Sequence, residues 1–145
     1  MPWQGEPLCI ALTRRAKSCI ERFDCCGGQQ ATHLRPTLSA DRIWCQLFSE
    51  PGAGSDLAAL RTTAEKVDGG WKITGQKIWT TVAQFSDWAM LIARTDAGKP
   101  KHQGITYFVL DMSTPGITVR PLREMTGSAL FNEVFLDGVF VRNSK

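Results

Sequence analysis

The glycine-rich stretch SEPGAGSDL, which begins at Ser49, is the first segment whose residue types suit ligand binding. Gly52 and Gly54 can adopt positive φ and let another group approach the backbone, while Ser55 adds a hydroxyl. The stretch could therefore hold a phosphate, although it has neither the lysine of a Walker loop nor the third glycine of a dinucleotide fingerprint. Taken alone, a plain turn in which Ser55 or Asp56 caps a short helical turn is the simpler interpretation.

A second stretch, QKIWTTVAQFSDW, places Trp79 directly before Thr80 and Thr81. An indole beside two hydroxyls offers a flat apolar plate and hydrogen-bonding groups, which would suit a heteroaromatic ring with a polar edge. Tryptophan in a β-rich run is more often a core residue. The pattern leaves both interpretations of Trp79 open.

Other catalytic arrangements find no support in the sequence. There is no Gly-x-Ser-x-Gly elbow, and neither His33 nor His102 has a serine or cysteine partner in its sequence context. Cys25 and Cys26 are adjacent rather than two to four residues apart, so no tetrahedral zinc spacing exists. We predict no metal site, and the five cysteines do not form a disulfide framework.

Charge and hydropathy exclude several classes of partner. The chain has 17 basic and 14 acidic residues and a net charge of +3, with no block of like charge suited to nucleic acid. No apolar run approaches the roughly 18 residues that a membrane-spanning helix needs, and no signal peptide is recognisable. We therefore expect no nucleic-acid partner, no membrane span and a cytoplasmic location.

The elements that would position these residues are mainly strands. Leu12, Ala16, Cys19 and related apolar positions predict a helix over Ala11–Phe23, whereas from Asp41 onward short β-rich runs alternate with turn residues. Such spacing is typical of an antiparallel barrel or sandwich. The predicted strands are Arg42–Phe48, Leu60–Val67, Gly70–Gly75, Lys77–Val82, Asp87–Arg94, Gly104–Asp111, Gly116–Leu122 and Asn132–Val139.

Several separated motifs, in order, resemble the middle, β-barrel domain of the acyl-CoA dehydrogenase family. They are CQLFSEPGAGSDLAALRTTAEKVDGGWKITGQKIWTTVAQFSDWAMLIARTD and GITYFVLDMSTPGITVRPLREMTGSALFNEVFLDGV, within the span His33 to Val141. The resemblance implies a mainly β fold, an antiparallel β-barrel over residues 33–145. It leaves residues 1–32 as an atypical N-terminal segment, partly helical or disordered.

The resemblance also implies FAD as cofactor. Ser49 matches the position that bonds the flavin ring, Ser55 the pyrophosphate and acyl-CoA end of the loop, and Trp79 the residue that covers the flavin. Thr81 matches the threonine that bonds the N5 edge, which tunes the cofactor. The full set of expected cofactor-binding residues is Gln46, Phe48, Ser49, Gly54, Ser55, Trp79, Thr80 and Thr81, and Ser55 is also the expected substrate-binding residue.

In this family FAD removes two hydrogens from an acyl-CoA thioester, electron-transfer flavoprotein or a similar acceptor takes the electrons, and full-length members are homo-oligomers. The catalytic base comes from a C-terminal helical domain that the sequence, ending at Lys145, does not contain. We therefore expect no catalytic residue in this chain, which resembles a fragment lacking both helical domains, and no dehydrogenation by it alone. The alternative is a non-enzymatic β-domain remnant or interaction module that binds no flavin.

Overall fold

The computed structural model describes residue 33 and residues 35–143. Within them a short helix, α1, is followed by seven strands and two 3-10 helices. The 3-10 helices span Leu57–Ala59 and Ala83–Phe85. The other elements are α1 (Arg35–Leu38), β1 (Trp44–Leu47), β2 (Thr63–Val67), β3 (Gly70–Thr81), β4 (Trp88–Arg94), β5 (Ile105–Asp111), β6 (Ile117–Pro121) and β7 (Phe131–Arg142).

The strands form one curled, half-barrel sheet, which confirms the mainly β class. Its order is β1-β4-β2-β3-β7-β6, and β5 pairs with β4. The pairs β2–β3, β3–β7, β4–β5 and β6–β7 are antiparallel, as the barrel prediction implies. In contrast, β1 and β2 lie parallel to β4. A parallel pair needs a long crossover connection, and the chain between β1 and β4 supplies it by forming β2 and β3.

The prediction of two strands, Gly70–Gly75 and Lys77–Val82, with a break at Gln76 was wrong, because β3 is one strand of 12 residues. The glycine permits close packing rather than a turn: a Cβ on Gly75 would lie 2.4 Å from Oγ1 of Thr62. The register against β7 shifts between Ile73 and Gly75, so a bulge absorbs the irregularity without ending the strand.

The main core lies on the inner face of the curled sheet. The alternation of apolar and polar residues in WKITG of β3 and EVFLD of β7 predicts one buried face, and Ile73, Val134 and Leu136 are buried accordingly. The cluster continues across β1, β4 and β5. Its buried members are Cys45, Leu47, Ala64, Ile73, Ala83, Ala89, Leu91, Ala93, Phe108, Leu110, Val134, Leu136 and Val139.

The predicted helix Ala11–Phe23 lies outside the described residues, and the domain boundary after residue 32 stays a prediction. Among the residues that the structure describes, no helix combines the length and apolar character needed to cross a membrane.

Candidate cofactor-binding cleft

A cleft of about 510 Å³ opens between the end of β1, the glycine-rich loop and the end of β3. Pockets of this size are typical of small-molecule and cofactor sites. The described residues that line it are Trp44, Cys45, Gln46, Phe48, Ser49, Gly54, Leu57, Ile78, Trp79, Thr81, Val82 and Met90. They include most of the residues expected to bind a cofactor, taken from two segments far apart in sequence, but neither Ser55 nor Thr80.

A β-bulge in β3 places Trp79 in the cleft. Lys77 pairs with Val134 and Thr80 with Asn132, so two residues of β3, Ile78 and Trp79, lie opposite one residue of β7. Trp79 has φ of 59°, the left-handed region that non-glycine residues rarely adopt. The residue is 60% exposed. The core interpretation of Trp79 is therefore wrong, because the bulge turns the indole out of the core.

After the bulge, normal alternation separates the two threonines. Thr81 is exposed and lines the cleft, whereas Thr80 is buried on the other face of the strand. The hydroxyl of Thr80 has no hydrogen-bond partner among the described residues, while its backbone carbonyl accepts a hydrogen bond from Nδ2 of Asn132 at 3.0 Å. A side-chain role for Thr80 in the cleft is not supported by this orientation, whereas Thr81 lines the cleft and its contact with a cofactor remains a prediction.

The glycine-rich loop folds as a tight turn whose backbone stays open. Glu50 and Ala53 exchange two backbone hydrogen bonds of 2.9 and 3.0 Å. Gly52 and Gly54 do not have positive φ, but a Cβ on either would meet nothing within 4 Å. Close approach to the backbone is therefore possible there, although the left-handed conformation anticipated from the sequence is not used.

A 3-10 helix over Leu57–Ala59 follows the turn, as the capped-turn interpretation anticipates. Asp56 occupies the N-cap position without a side-chain cap hydrogen bond, and its carboxylate pairs instead with Lys101. Ser55 is exposed and lies outside the cleft lining. Its assignment to the phosphate and thioester remains a prediction.

A buried ion pair joins the two segments that form the walls of the cleft, and its residues are not among the predicted site residues. Nζ of Lys77 lies 2.8 Å from Oε1 of Glu50, and the side chains are 0% and 6% exposed. The same carboxylate accepts backbone N–H groups of Arg61 at 2.6 Å and Thr62 at 3.0 Å. The useful signal was a lysine at an inward-facing strand position, since such a residue must have a buried acceptor.

Burial and hydrogen bonding act in opposite directions on this pair. Burial alone would raise the pKa of Glu50, but hydrogen bonds from Lys77, Thr62 and Arg61 together with the lysine charge lower it below its ordinary value. Burial lowers the pKa of Lys77, and its contact with Glu50 opposes that effect. We take the pair as ionised at neutral pH, because the carboxylate has three donors around it.

The pKa shifts of the other titratable side chains near the cleft are caused by burial. Burial raises the pKa of the Cys45 thiol, which disfavours a reactive thiolate. Burial also lowers the pKa of His33, whose ring packs edge-on against Trp44 and Trp88 at centroid distances of 5.5 and 4.7 Å. No cluster of three or more His, Cys, Asp or Glu side chains suited to a metal ion occurs in the described part of the chain.

Fold and cleft together define a β-rich domain with an open site of cofactor size. Residues 45–139 match the family described as acyl-CoA dehydrogenase, middle domain. The chain belongs to the acyl-CoA dehydrogenase family, as its sequence resemblance indicated.

Individual relatives agree with this assignment. The chain is 65% identical over 105 residues to acyl-CoA dehydrogenase FadE34 of Mycobacterium tuberculosis, covering 72% of this chain and 15% of that protein. An acyl-CoA dehydrogenase structure from Geobacillus kaustophilus superposes with a TM-score of 0.75 at 31% identity, covering 80% of this chain and 31% of the other. A glutaryl-CoA dehydrogenase from Mycobacterium smegmatis in complex with FADH2 gives 0.71 at 30% identity, with 80% and 29% coverage. The chain spans less than a third of the length of these relatives.

Proposed function

We propose that the cleft binds the isoalloxazine ring of FAD and that the chain is the flavin- and acyl-CoA-binding portion of an acyl-CoA dehydrogenase. One observation carries the proposal: Ser49 and Trp79, taken from separate segments that the sequence singled out, line one open cleft. The similar glutaryl-CoA dehydrogenase was solved in complex with FADH2, which supports the choice of flavin.

The residues of the cleft fit such a ring. Trp79 offers an exposed apolar face, Ser49 and Thr81 carry hydroxyls, and the backbone at Gly54 is open to close approach. When bound, FAD would supply the hydride-accepting chemistry that protein side chains lack. The chain's own contribution would be to orient the ring and to cover one of its faces.

The proposed role is binding and positioning rather than proton abstraction. The described residues that line the cleft include no carboxylate and no histidine, the usual general bases. We accordingly propose that the base for an acyl-CoA substrate is supplied from outside the described residues. An acyl-CoA substrate, an electron-transfer flavoprotein acceptor, homo-oligomers and a cytoplasmic location belong to the same proposal and rest on the family resemblance.

A flavin titration tests the proposal. FAD is added to the purified chain, and binding is followed by visible absorbance and equilibrium dialysis. Losing one hydrogen bond of about 1–1.5 kcal/mol predicts roughly tenfold weaker binding for Thr81→Val. Trp79→Ala, which removes the covering indole, is expected to weaken binding at least as much. The matched control Thr118→Val changes an exposed threonine of β6 and should leave affinity unchanged.

A folded chain that binds no FAD would contradict the proposal. That result would favour the interaction module, for which Trp79, Phe85 and Leu130 provide exposed apolar surface. Unchanged affinity in both cleft variants would instead place the flavin elsewhere on the molecule.

A further inference from the structure

One wall of the cleft is the loop segment from Phe48 to Glu50, and each of these three loop residues accepts a hydrogen bond from β3. Nζ of Lys77 donates to the carbonyl of Phe48 at 3.2 Å, and the amide of Ile78 donates to the carbonyl of Ser49 at 2.9 Å. Nζ of Lys77 also donates to Glu50 at 2.8 Å. Two neighbouring residues of β3 thus hold the complete segment from Phe48 to Glu50.

The same lysine begins the bulge that forms the opposite wall. Lys77 is the last residue in register with β7 before the shift, and Trp79 follows two positions later. Movement of the Lys77 backbone would therefore move Trp79, while movement of its ammonium group would move Phe48 and Ser49. Neither Lys77 nor Glu50 lines the cleft, so any effect on a ligand must pass through these neighbours.

We propose that Glu50 and Lys77 are positioning residues that fix the separation of the two cleft walls, with Ser49 on one wall and Trp79 on the other. The inference rests on the proposed function only where it concerns flavin, since wall geometry is measurable in the free chain. A buried ion pair contributes little to stability by itself, because apolar replacements of similar volume are often neutral or stabilising. In this structure the pair fixes geometry, because Lys77 hydrogen-bonds a loop carbonyl and a carboxylate at the same time.

The test compares Lys77→Met, Glu50→Gln and the double variant E50Q/K77M in the full chain. The single variants leave one buried charge without its partner and are expected to be strongly destabilised. The double variant removes both charges at similar volume, so it should fold while lacking the Lys77 contact to Phe48. Lys72→Met, on the exposed face of β3, and Glu65→Gln, exposed on β2, make the same chemical changes away from the cleft.

Wall geometry is measured with 5-fluorotryptophan and ¹⁹F NMR, the Trp79 resonance being assigned from Trp79→Phe. We expect the Trp79 signal of E50Q/K77M to shift or broaden, while the Trp71 signal of the same variant matches the wild type. In both control variants the Trp79 signal should match the wild type. FAD is then titrated, and we expect about tenfold weaker binding and an altered visible band for the flavin that does bind, because pre-organisation has been lost.

The outcomes separate this inference from the proposed function. A wild-type chain that binds no FAD, combined with a changed Trp79 signal in the double variant, refutes the proposed function and leaves the positioning role supported. A folded double variant with an unchanged Trp79 signal overturns the inference, even where flavin binds. A double variant that does not fold also overturns it, since the pair would then act on stability rather than on position.

Discussion

Replacing Trp79 with alanine and with glycine tests the strained bulge, because both changes remove the same indole and leave different backbones. Trp79 has φ of 59° and is 60% exposed, so its environment is set more by the backbone than by packing. The ring's main aromatic contact is an edge-on approach to Phe131 with centroids 6.0 Å apart, and both variants lose it equally. Their difference in stability therefore isolates the conformational cost.

The expected difference follows from two opposing effects. The left-handed conformation costs an L-residue about 1–2 kcal/mol, and glycine avoids that cost. Glycine in a strand is otherwise about 0.5–1 kcal/mol less favourable than alanine, because more backbone entropy is lost. We therefore expect Trp79→Gly to be more stable than Trp79→Ala by up to about 1.5 kcal/mol. At Lys72, an exposed position of β3 without positive φ, the order should be reversed.

Urea unfolding of the four variants at one pH measures both differences. The quantity of interest is the alanine-to-glycine change at residue 79 minus the same change at residue 72, which should be about 1–2 kcal/mol, the strain itself. Alanine and glycine behaving alike at both positions would refute the assignment of strain to Trp79. It would also remove the physical basis for the outward orientation of the indole.

Three further outcomes are expected. Gly75→Ala should destabilise the fold by about 1–3 kcal/mol, because its Cβ would lie 2.4 Å from Oγ1 of Thr62. Gly52→Ala should cost little, because nothing lies within 4 Å of its Cβ. Thermal unfolding of the two variants compares these costs. Leu91→Ala, at a position with 0% exposure, should cost about 2–5 kcal/mol in a urea titration, and a loss below 1 kcal/mol would contradict its place in the core. The pKa of Glu50 is lowered in the folded chain, so the carboxylate stabilises the fold above the ordinary glutamate pKa of about 4.3. That stabilisation is lost as the pH falls through the pKa of the folded chain. Urea midpoints between about pH 3 and 6 should show the loss, and E50Q/K77M should show less of it.

Local patterns predicted much of the sheet. Period-two alternation located the buried face of β3 and β7, and the turn residues between β-rich runs separated most strands correctly. The pattern failed at Gly75, where the absent side chain admits Thr62 instead of ending the strand. No local sequence pattern predicted the parallel pairing of β1 with β4, because that pairing depends on where distant segments meet in the fold.

The site, like the sheet, was predictable from local segments but not where it depends on contacts between distant segments. Resemblance predicted Ser49, Trp79 and Thr81 as cofactor-binding residues, and all three line the cleft, whereas composition alone favoured burying the tryptophan. The bulge that exposes Trp79 is a property of register between two strands, which no single segment reveals. The partnership of Glu50 with Lys77 likewise joins positions 27 apart, and only the folded chain brings them together.

The parallel pairing of β1 with β4 has a consequence for the order of folding. Trp44 pairs with Trp88, 44 positions further along the chain, whereas β2 and β3 are joined by a short turn and form a local hairpin. Closing the longer loop carries the larger entropic cost, so β1 is expected to dock after the hairpins, with φ-values near zero. The wall that carries Gln46, Phe48 and Ser49 would then be completed last. A ligand in the cleft would recognise only the finished sheet and would slow the first step of its unfolding.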